Sequence, residues 1–291
     1  MRVLVCVKRV PQTGGRIVLT ADGQEIDTKF LGFTISPHEE CGIEEAVRII
    51  EAGGGESTVL TLGASAAEEQ LRDAMALGID RAVLLETDGS EWDPVSTAAA
   101  IADTIRAQEA AGGTFDLVIF GNESADSGGF QVGIRVAVAL GRPVVNGLKG
   151  LTVGSGSVTA RREAPGGGWE TYELPLPAIV GVKEGINLPR YPSVPGRLRA
   201  KKKEVERIPV GAAGSGPVGA AGSGPVGAAG SGPVGAAGSG PAASSGLPVG
   251  PIKALLRLPE ESGSQVEILG RGAEAAPAVV DLLQKLGLVA R

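Results

Sequence analysis

The sequence has few of the residues on which disulfide frameworks, metal sites and acid–base catalysis usually depend. Its 291 residues include two cysteines, Cys6 and Cys41, and one histidine, His38. Two cysteines are too few for a disulfide framework and fit a reducing compartment, so we expect a cytoplasmic protein. One histidine without a close cysteine pair argues against a structural zinc site. No nucleophile, base and orienting group can be recognised, which argues against general acid–base catalysis.

Long apolar runs and an excess of positive charge are also missing. Lys8 and Arg9 interrupt the first hydrophobic stretch before it reaches the ~18 residues of a membrane helix, and no small-residue cleavage site follows it. We therefore expect neither membrane insertion nor a signal peptide. The formal net charge is −6, and the basic run at 201–203 has no interleaved aromatic residues for base stacking. We expect no nucleic-acid partner.

The chain does contain a regular alternation of strand and helix patterns. Apolar runs of strand length occur at residues 2–7, 57–62, 81–86, 116–120 and 178–182. Runs that are apolar on consecutive residues are typical of strands buried on both faces. With helical patterns between them, they predict a Rossmann-like α/β core, in which right-handed crossovers place helices on both faces of a parallel sheet.

The first long helix has a complete start signal. Ser36 is placed as the N-cap, Pro37 as the first helical residue and Glu39 as the closing member of a capping box. Apolar residues at 43, 46, 47 and 50 then follow one helix face. The pattern predicts a helix over residues 36–52.

Two hairpins are expected to interrupt the βα order. The turn dipeptide Asp22 and Gly23 lies between β-type runs at residues 16–19 and 25–28. A second hairpin is expected within residues 148–174.

The composition changes after residue 206, where the core is expected to end. The unit VGAAGSGP occurs four times in residues 210–241, which is too short a period for a solenoid and predicts a flexible linker over 207–250. In the arm that follows, 251–291, we expect a short strand or helix at 252–258 and a helix at 273–288. The apolar stripe of that helix must dock on the core or on a second chain.

The segment at 187–203, NLPRYPSVPGRLRAKKK, is typical of a displayed surface loop. Prolines at 189, 192 and 195 argue against a helix interior or a central strand. Tyr191 and Val194 would be held outward, flanked by Arg190, Arg197 and Arg199, in a pattern that suits docking to a protein. An ordinary connector is the alternative.

Ligands of open parallel sheets bind outside the carboxyl ends of the strands. Here that edge is formed by Cys6, the helix start at Ser36, Gly63, and the loop GNESADSGGFQVG that begins at Gly121. In this loop Gly128 and Gly129 would let a phosphate approach main-chain N–H groups. Neither a Walker A motif nor G-x-G-x-x-G is present, so a plain glycine-rich turn remains an equal alternative on composition alone.

Several motifs together resemble the electron transfer flavoprotein beta subunit family. They are RVLVCVKRVP at 2–11, SPHEECGIEEAVRIIE at 36–51, AMALGIDRAVLLE at 74–86, the loop at 121–133, RREAPGGGWETYELPLPAIV at 161–180, and NLPRYPSVP with its KKK run. They cover roughly the first 205 residues in family order. The resemblance implies a fold like that of the adenine nucleotide alpha hydrolases, with a C-terminal arm around an alpha subunit.

The resemblance further implies that this subunit holds AMP, which is structural and takes no part in redox chemistry. The matching positions are Cys6, Ser36, Pro37, His38, Glu39, Gly121, Asp126, Gly129, Gln131, Val132 and Gly133. His38 is expected to be a solvated bystander. The ending Gln131, Val132 and Gly133 is more similar to electron-bifurcating members, which bind a second FAD here. AMP and FAD therefore both remain open.

The same resemblance implies a heterodimer whose alpha subunit holds most of a redox FAD, with this chain supplying one wall. Thr13 would lie near the flavin ring, and Glu163 matches a carboxylate that pairs with an alpha-subunit arginine. Residues 187–203 match the loop that anchors flavoprotein dehydrogenases, with Val194 in place of the family's leucine.

The expected function is therefore an electron carrier subunit and not a stand-alone enzyme. It would accept electrons from flavoprotein dehydrogenases and pass them to a respiratory or other acceptor. A different class also stays open, namely a nucleotide-binding regulatory module of the universal stress type. Such modules show G-x2-G-x9-G-[ST], whereas Gly121 is followed by Asn, Glu and Ser.

Overall fold

The computed structural model describes residues 1–12, 14, 17–211, 255–258 and 267–289. Its strands are β1 (Arg2–Cys6), β2 (Val10–Pro11), β3 (Phe33–Thr34), β4 (Glu56–Gly63), β5 (Arg81–Glu86), β6 (Leu117–Gly121), β7 (Val144–Val153), β8 (Ser157–Glu163), β9 (Trp169–Pro175), β10 (Ala178–Val182) and β11 (Glu206–Pro209). Its α-helices are α1 (Pro37–Gly53), α2 (Glu68–Leu77), α3 (Pro94–Gly112), α4 (Val132–Leu140), α5 (Val194–Lys202) and α6 (Ala276–Lys285).

Nine of these strands form one sheet in the order β11-β5-β4-β1-β6-β10-β7-β8-β9. The seven strands from β11 to β7 are parallel, and β8 and β9 continue the sheet antiparallel. The five predicted strands are confirmed, and so is the α/β fold. Successive strands leave β1 in opposite directions, so a crevice opens where the carboxyl ends of β1 and β6 meet.

The central strand β1 explains why continuous apolar runs were needed. Its side chains alternate between the two faces of the sheet. Val3 and Val5 pack in a cluster with α1 and α2, while Leu4 and Cys6 pack in a second cluster with α3 and α4. Burial on both faces therefore requires an apolar side chain at every position of the strand.

The predicted start of α1 is confirmed. Ser36 has extended backbone angles and its hydroxyl accepts from the N–H of Glu39, whose carboxylate accepts from the N–H of Ser36 in return. The predicted apolar stripe is buried at Ile43 and Val47. The helix ends at Gly54, which has a φ of 71°.

Both hairpin regions differ in extent from the prediction. Residues 144–175 form a three-stranded antiparallel meander, β7 to β9, which is larger than a single hairpin. The earlier region keeps only one bridge, between Leu19 and Ile26, around Gly23 with a φ of 65°. Arg16, at the start of its first arm, lies outside the described residues.

The segment at 187–203 is only partly a loop, which corrects the prediction that its prolines exclude a helix. Val194–Lys202 is helix α5, with Ser193 as the N-cap and Pro195 in the first turn. The first-turn N–H groups of a helix have no intrahelical acceptor, so a proline there removes no hydrogen bond. Val194 therefore lies on a helix and not on an extended loop.

The core extends beyond residue 206, where it was expected to end. The predicted linker was to begin at 207, but β11 pairs with β5 as far as Pro209, and Val210 is buried. Apart from Val210 and Gly211, the four repeats lie outside the described residues. Of the segment at 252–258, residues 255–258 are described and form neither strand nor helix. The predicted arm helix is confirmed as α6.

The described residues include no helix long and apolar enough to span a bilayer. The exposed apolar side chains near and within α6 include Val279, Val280, Leu286 and Leu288. This stripe faces solvent in the isolated chain.

Core packing between α1 and the sheet should contribute strongly to the stability. Ile119 of β6 is fully buried, whereas Val138 of α4 is 76% exposed. We expect Ile119→Ala to lower the free energy of unfolding by about 2–5 kcal/mol, through lost burial and the cavity left behind. The matched truncation Val138→Ala should change it by less than about 0.5 kcal/mol. Urea unfolding of the purified protein checks both, and equal effects would contradict this packing.

Candidate functional site

A cleft of about 420 Å³ opens at the carboxyl ends of β1 and β6, where the strand order reverses. Its lining residues come from the start of α1 and from the loop after β6, and are Ser36, Pro37, His38, Glu123, Ser124, Ala125, Asp126, Ser127 and Gly128. We call it the first cleft. Its volume falls within the roughly 300–1,000 Å³ of small-molecule sites.

The capping box of α1 also fixes the wall of the first cleft. The Ser36 hydroxyl donates to the carbonyl oxygen of Glu123 at 3.0 Å. The two carboxylate oxygens of Glu39 accept from the backbone N–H of Lys8 at 2.9 Å and of Ser36 at 2.8 Å. One buried carboxylate thus joins the end of β1 to the start of α1.

The position of Glu39 perturbs its acidity. Burial raises the pKa of its carboxyl to about 8, and the negative charge of Asp126 adds to the rise. The two N–H donors and the ammonium group of Lys8 oppose it. Burial is the larger influence, because the side chain has almost no contact with solvent.

Gly121 is required where α1 and β6 approach each other. A Cβ at this position would lie 2.6 Å from Cγ of Glu39 and 3.1 Å from its backbone nitrogen. No larger residue can follow β6 without moving the start of α1. The glycine that the resemblance places among the nucleotide positions is therefore first a packing requirement.

Charged groups in and beside the first cleft are paired across elements. The ammonium group of Lys8 lies 2.6 Å from Oδ2 of Asp126. Partial burial alone would raise the pKa of Asp126, but Lys8 holds it below its ordinary value. The loop after β6 is thereby tied to the chain after β1.

His38 is integrated into the cleft wall, which corrects the expectation of a solvated bystander. Its side chain is 14% exposed. Its Nδ1 accepts from the backbone N–H of Glu184 at 2.7 Å, which leaves the proton on Nε2, 3.3 Å from Oε1 of Glu123. Both ring nitrogens are engaged, so His38 connects α1 to the chain after β10 and to the cleft loop.

The glycine-rich loop turns sharply before α4. Gly128 and Phe130 both have a φ of 55°, and the Phe130 side chain is exposed and absent from the cleft lining. Gln131 precedes the helix without capping it, because its side chain accepts from Arg135 at 2.9 Å. The first-turn N–H groups of α4 thus have no side-chain acceptor from the N-cap, and a helix start of this kind favours an anion.

The structure brings together only part of the predicted nucleotide set. Ser36, Pro37, His38, Asp126 and Gly128 line the first cleft, and Glu39 and Gly121 support it. Gly129, Gln131, Val132 and Gly133 belong to the adjoining loop end and α4 start. Cys6 and Gly63 are not in the lining; Cys6 is buried in the α3 and α4 cluster.

Two charged residues of the site, Lys8 and Glu123, were not predicted, and one predicted residue cannot be placed. Lys8 and Glu123 pair with Asp126 and His38 respectively. Each directly follows the end of a parallel strand by two residues, which is the signal that could have found them. Thr13 lies outside the described residues.

Glu163 lines a second cleft of about 340 Å³, which lies at the carboxyl ends of β6 and β10 and beside β7. The other lining residues are Asn122, Asn146, Gly147, Arg162, Pro165, Glu170 and Lys183. Arg162 donates to Glu170 at 2.5 Å, and Tyr172 donates to the same oxygen at 2.7 Å. Glu163 itself is exposed at the end of β8. Among the described residues, no cluster of His, Cys, Asp or Glu is arranged to hold a metal ion.

Residues 187–203, which we call the docking segment, run along α1 away from the first cleft, from a contact with Cys41 to one with Glu51. The exposed apolar side chains are Leu188, Tyr191, Val194 and Leu198, of which Tyr191 is 95% and Val194 73% exposed. Arg197 and Arg199 are exposed beside them.

Arg190 behaves differently from the other predicted docking residues. Its guanidinium group turns inward to Glu44 and Glu51 of α1. The structure therefore places this arginine in contact with the core.

Comparison with known proteins gives a consistent family match. The family model described as the electron transfer flavoprotein domain matches residues 26–213. Similar proteins named electron transfer flavoprotein subunit beta occur in Bacillus subtilis, 35% identical over 72% of this chain and 79% of that protein, and in Syntrophomonas wolfei, 36% identical over 74% and 82%. One from Mycobacterium tuberculosis is 38% identical over 70% and 77%.

We expect Gly121→Ala to lower the free energy of unfolding by about 1–3 kcal/mol, because its Cβ would overlap Glu39. Gly129→Ala is the matched control, since no atom lies within 4 Å of its Cβ position. It should change stability by less than about 0.5 kcal/mol. Urea unfolding measures both, and a neutral Gly121→Ala would show that α1 does not pack closely here.

The raised pKa of Glu39 predicts a pH effect on stability. The folded pKa of about 8 lies above the ordinary value of 4.5, so protonated Glu39 favours folding. That contribution is complete below the unfolded pKa and is lost as pH rises through the folded one. We expect Glu39→Gln to remove this part of the fall in unfolding free energy between about pH 5 and about pH 9. Glu173→Gln, at an exposed position, should keep the wild-type profile; parallel profiles for Glu39→Gln and wild type would refute the assignment.

Proposed function

Because this chain belongs to the electron transfer flavoprotein family, we propose that it is the beta subunit of a heterodimeric electron carrier. It would accept electrons from flavoprotein dehydrogenases and deliver them to a respiratory or other acceptor. The observation that carries the proposal is the docking segment, where four large apolar side chains stand exposed on a segment that is hydrogen-bonded to the core. Exposed apolar groups on an ordered frame are typical of protein recognition.

We propose that the first cleft binds AMP as a structural nucleotide. Its volume and position fit a mononucleotide, and the uncapped start of α4 with Gly128 supplies N–H groups of the kind that bind phosphate. The cleft contains Asp126 and Glu123, but Lys8 and His38 partner these carboxylates. A phosphate in this cleft would therefore meet negative charge that Lys8 partly compensates.

One observation favours FAD as the second candidate for the same site. No atom lies within 4 Å of a Cβ built at Gly129, and Phe130 turns away from the cleft. The loop therefore leaves space beside the cleft that a larger nucleotide could use. An FAD here would suit an electron-bifurcating carrier.

The redox FAD is proposed to lie mainly on the alpha subunit, with this chain as one wall. The second cleft fits an edge of that wall, because Lys183 offers positive charge and Glu163 stands exposed to pair with a cation of the partner. A flavin supplies the electron-transfer chemistry when bound, and protein groups supply position and electrostatics. His38 has both nitrogens occupied within the chain, which agrees with a role in structure and not in proton transfer.

Purification with the alpha subunit tests the assignment directly. We expect a heterodimer with a flavin visible spectrum that releases one AMP and one FAD on denaturation. Two FAD and no AMP would establish the bifurcating alternative. A chain that binds nucleotide but neither an alpha subunit nor flavin would contradict the carrier function and favour a regulatory module.

The docking segment predicts opposite effects from two changes at one position. Val194→Asp places a charge within the apolar surface and should raise the apparent KM of a dehydrogenase for the heterodimer by more than about tenfold. Val194→Leu adds one methylene, worth about 0.8 kcal/mol if buried, and should lower KM about fourfold.

Stopped-flow or steady-state reduction of the flavin measures both variants, with heterodimer assembly and flavin content as controls. Unchanged kinetics in both would show that dehydrogenases dock elsewhere.

A further inference from the structure

The apolar side chains of the docking segment make few contacts with the rest of the chain, so other residues must hold the segment in place. Leu188, Tyr191 and Val194 are each more than 70% exposed. An isolated loop with such side chains would lose much of its order in solution and would pay the ordering entropy on binding. The order must come from contacts elsewhere in the segment.

Arg190 supplies the strongest of these contacts. Its Nε and Nη2 donate to the two oxygens of Glu44 at 2.9 and 3.1 Å. Its Nη1 and Nη2 donate to the two oxygens of Glu51 at 2.6 and 2.9 Å. Even the backbone N–H of Arg190 donates to Glu44, at 3.2 Å. One planar guanidinium group thus holds two carboxylates that lie about two turns apart on the same face of α1.

Glu44 is a buried carboxylate whose charge Arg190 and Arg48 compensate. Its side chain is 4% exposed, and a carboxylate so placed is costly unless it is paired. Burial would raise its pKa, but hydrogen bonds from Arg190 and Arg48 hold the pKa below its ordinary value. Because Glu44 is out of contact with solvent, it cannot itself touch a docking partner.

The remaining contacts hold the segment on both sides of the displayed residues. On one side Asn187 donates to the carbonyl oxygen of Cys41 and to Oε1 of Glu45, both at 2.9 Å. On the other, Arg72 of α2 donates to the carbonyl oxygen of Ala200 at 2.8 Å. Gly196 lies so close to α2 that a Cβ would overlap the carbonyl oxygen of Ala76. Arg190 lies between these two attachments, within the stretch that displays the apolar side chains.

We propose that Arg190, clamped by Glu44 and Glu51, is a positioning residue that pre-orders the docking segment for its dehydrogenase. The inference rests on the proposed carrier function and deepens it. It replaces the expectation that Arg190 contacts the partner directly. A dehydrogenase would then bind a preformed surface of Leu188, Tyr191, Val194 and Leu198, and would not have to order it.

The two roles predict different results when the carboxylates are changed. If Arg190 acted as a direct contact, Glu44→Gln and Glu51→Gln would free its charge for the partner and leave docking equal or stronger. If it acts through the clamp, both changes weaken docking, although Glu44 is buried. Using both carboxylates keeps the comparison valid where one variant folds poorly.

The experiment uses the purified heterodimer and a flavoprotein dehydrogenase chosen because it reduces the wild type. We expect Arg190→Gln and Glu44→Gln to raise the apparent KM for the heterodimer about tenfold with kcat unchanged. Arg190→Lys should be intermediate, because an ammonium group cannot form the two-carboxylate fork. On a Val194→Asp background, Arg190→Gln should add no further loss.

Hydrogen exchange of residues 188–198 gives a reading that needs no partner. It should quicken in Arg190→Gln and Glu44→Gln. Arg81→Gln is the matched control, since Arg81, at the start of β5, also pairs with two carboxylates, Glu206 and Glu56. This variant should have the KM and the exchange rates of the wild type.

The outcomes separate the clamp from the function it serves. A wild-type KM and a wild-type exchange rate in Arg190→Gln would overturn the clamp. So would a raised KM in Arg190→Gln if Glu44→Gln and Glu51→Gln both docked normally. A wild-type heterodimer that no flavoprotein dehydrogenase reduces would instead contradict the proposed function, whatever the exchange rates.

Discussion

The close packing of α1 on the centre of the sheet is the constraint on which both functional regions depend. A Cβ built at Gly42 would lie 3.2 Å from Ile119 and 3.4 Å from Val182, so the helix rests almost directly on β6 and β10. Its first turn lines the first cleft, and Cys41, Glu44 and Glu51 further along the helix hold the docking segment. A helix placed less closely could not define both surfaces with one set of contacts.

The buried face of α1 is unusual because it carries carboxylates together with apolar residues. Glu39, Glu44 and Glu45 are all buried, and each has a specific donor: backbone N–H groups for Glu39, Arg190 for Glu44, and Asn187 for Glu45. Buried carboxylates are tolerated only with such partners. They therefore specify where two distant chain segments must lie, which apolar packing alone does not do.

The sequence predicts those parts of the structure that depend on local pattern. Consecutive apolar residues predicted the parallel strands, and Ser36 with Glu39 predicted the helix start, because each signal lies within a few residues. It failed where a distant element decides the outcome. At Val194, by contrast, the failure was local, because the prolines suggested a loop whereas Ser193 and Pro195 form the cap and first turn of α5. The role of Arg190 depends on Glu44, 146 residues away, and no spacing rule contains that pair. β11 was missed because its pairing with β5 comes from tertiary contact and not from a strong strand pattern.

The distance between the two regions limits how they can act together. Pro37 and Glu51 are separated by fourteen helical rises, or about 21 Å. The cleft end of α1 therefore lies well away from the end that holds Arg190, and the two regions are connected through α1 and through the chain after β10, where the N–H of Glu184 donates to His38. Because α1 is buried along most of one side and packed on the sheet, we expect it to fix the positions of both regions and not to shift when a ligand binds. This agrees with the structural role proposed for the nucleotide, which would complete the end of the helix that aligns the docking segment, while the flavin proposed for the alpha subunit would carry the electrons.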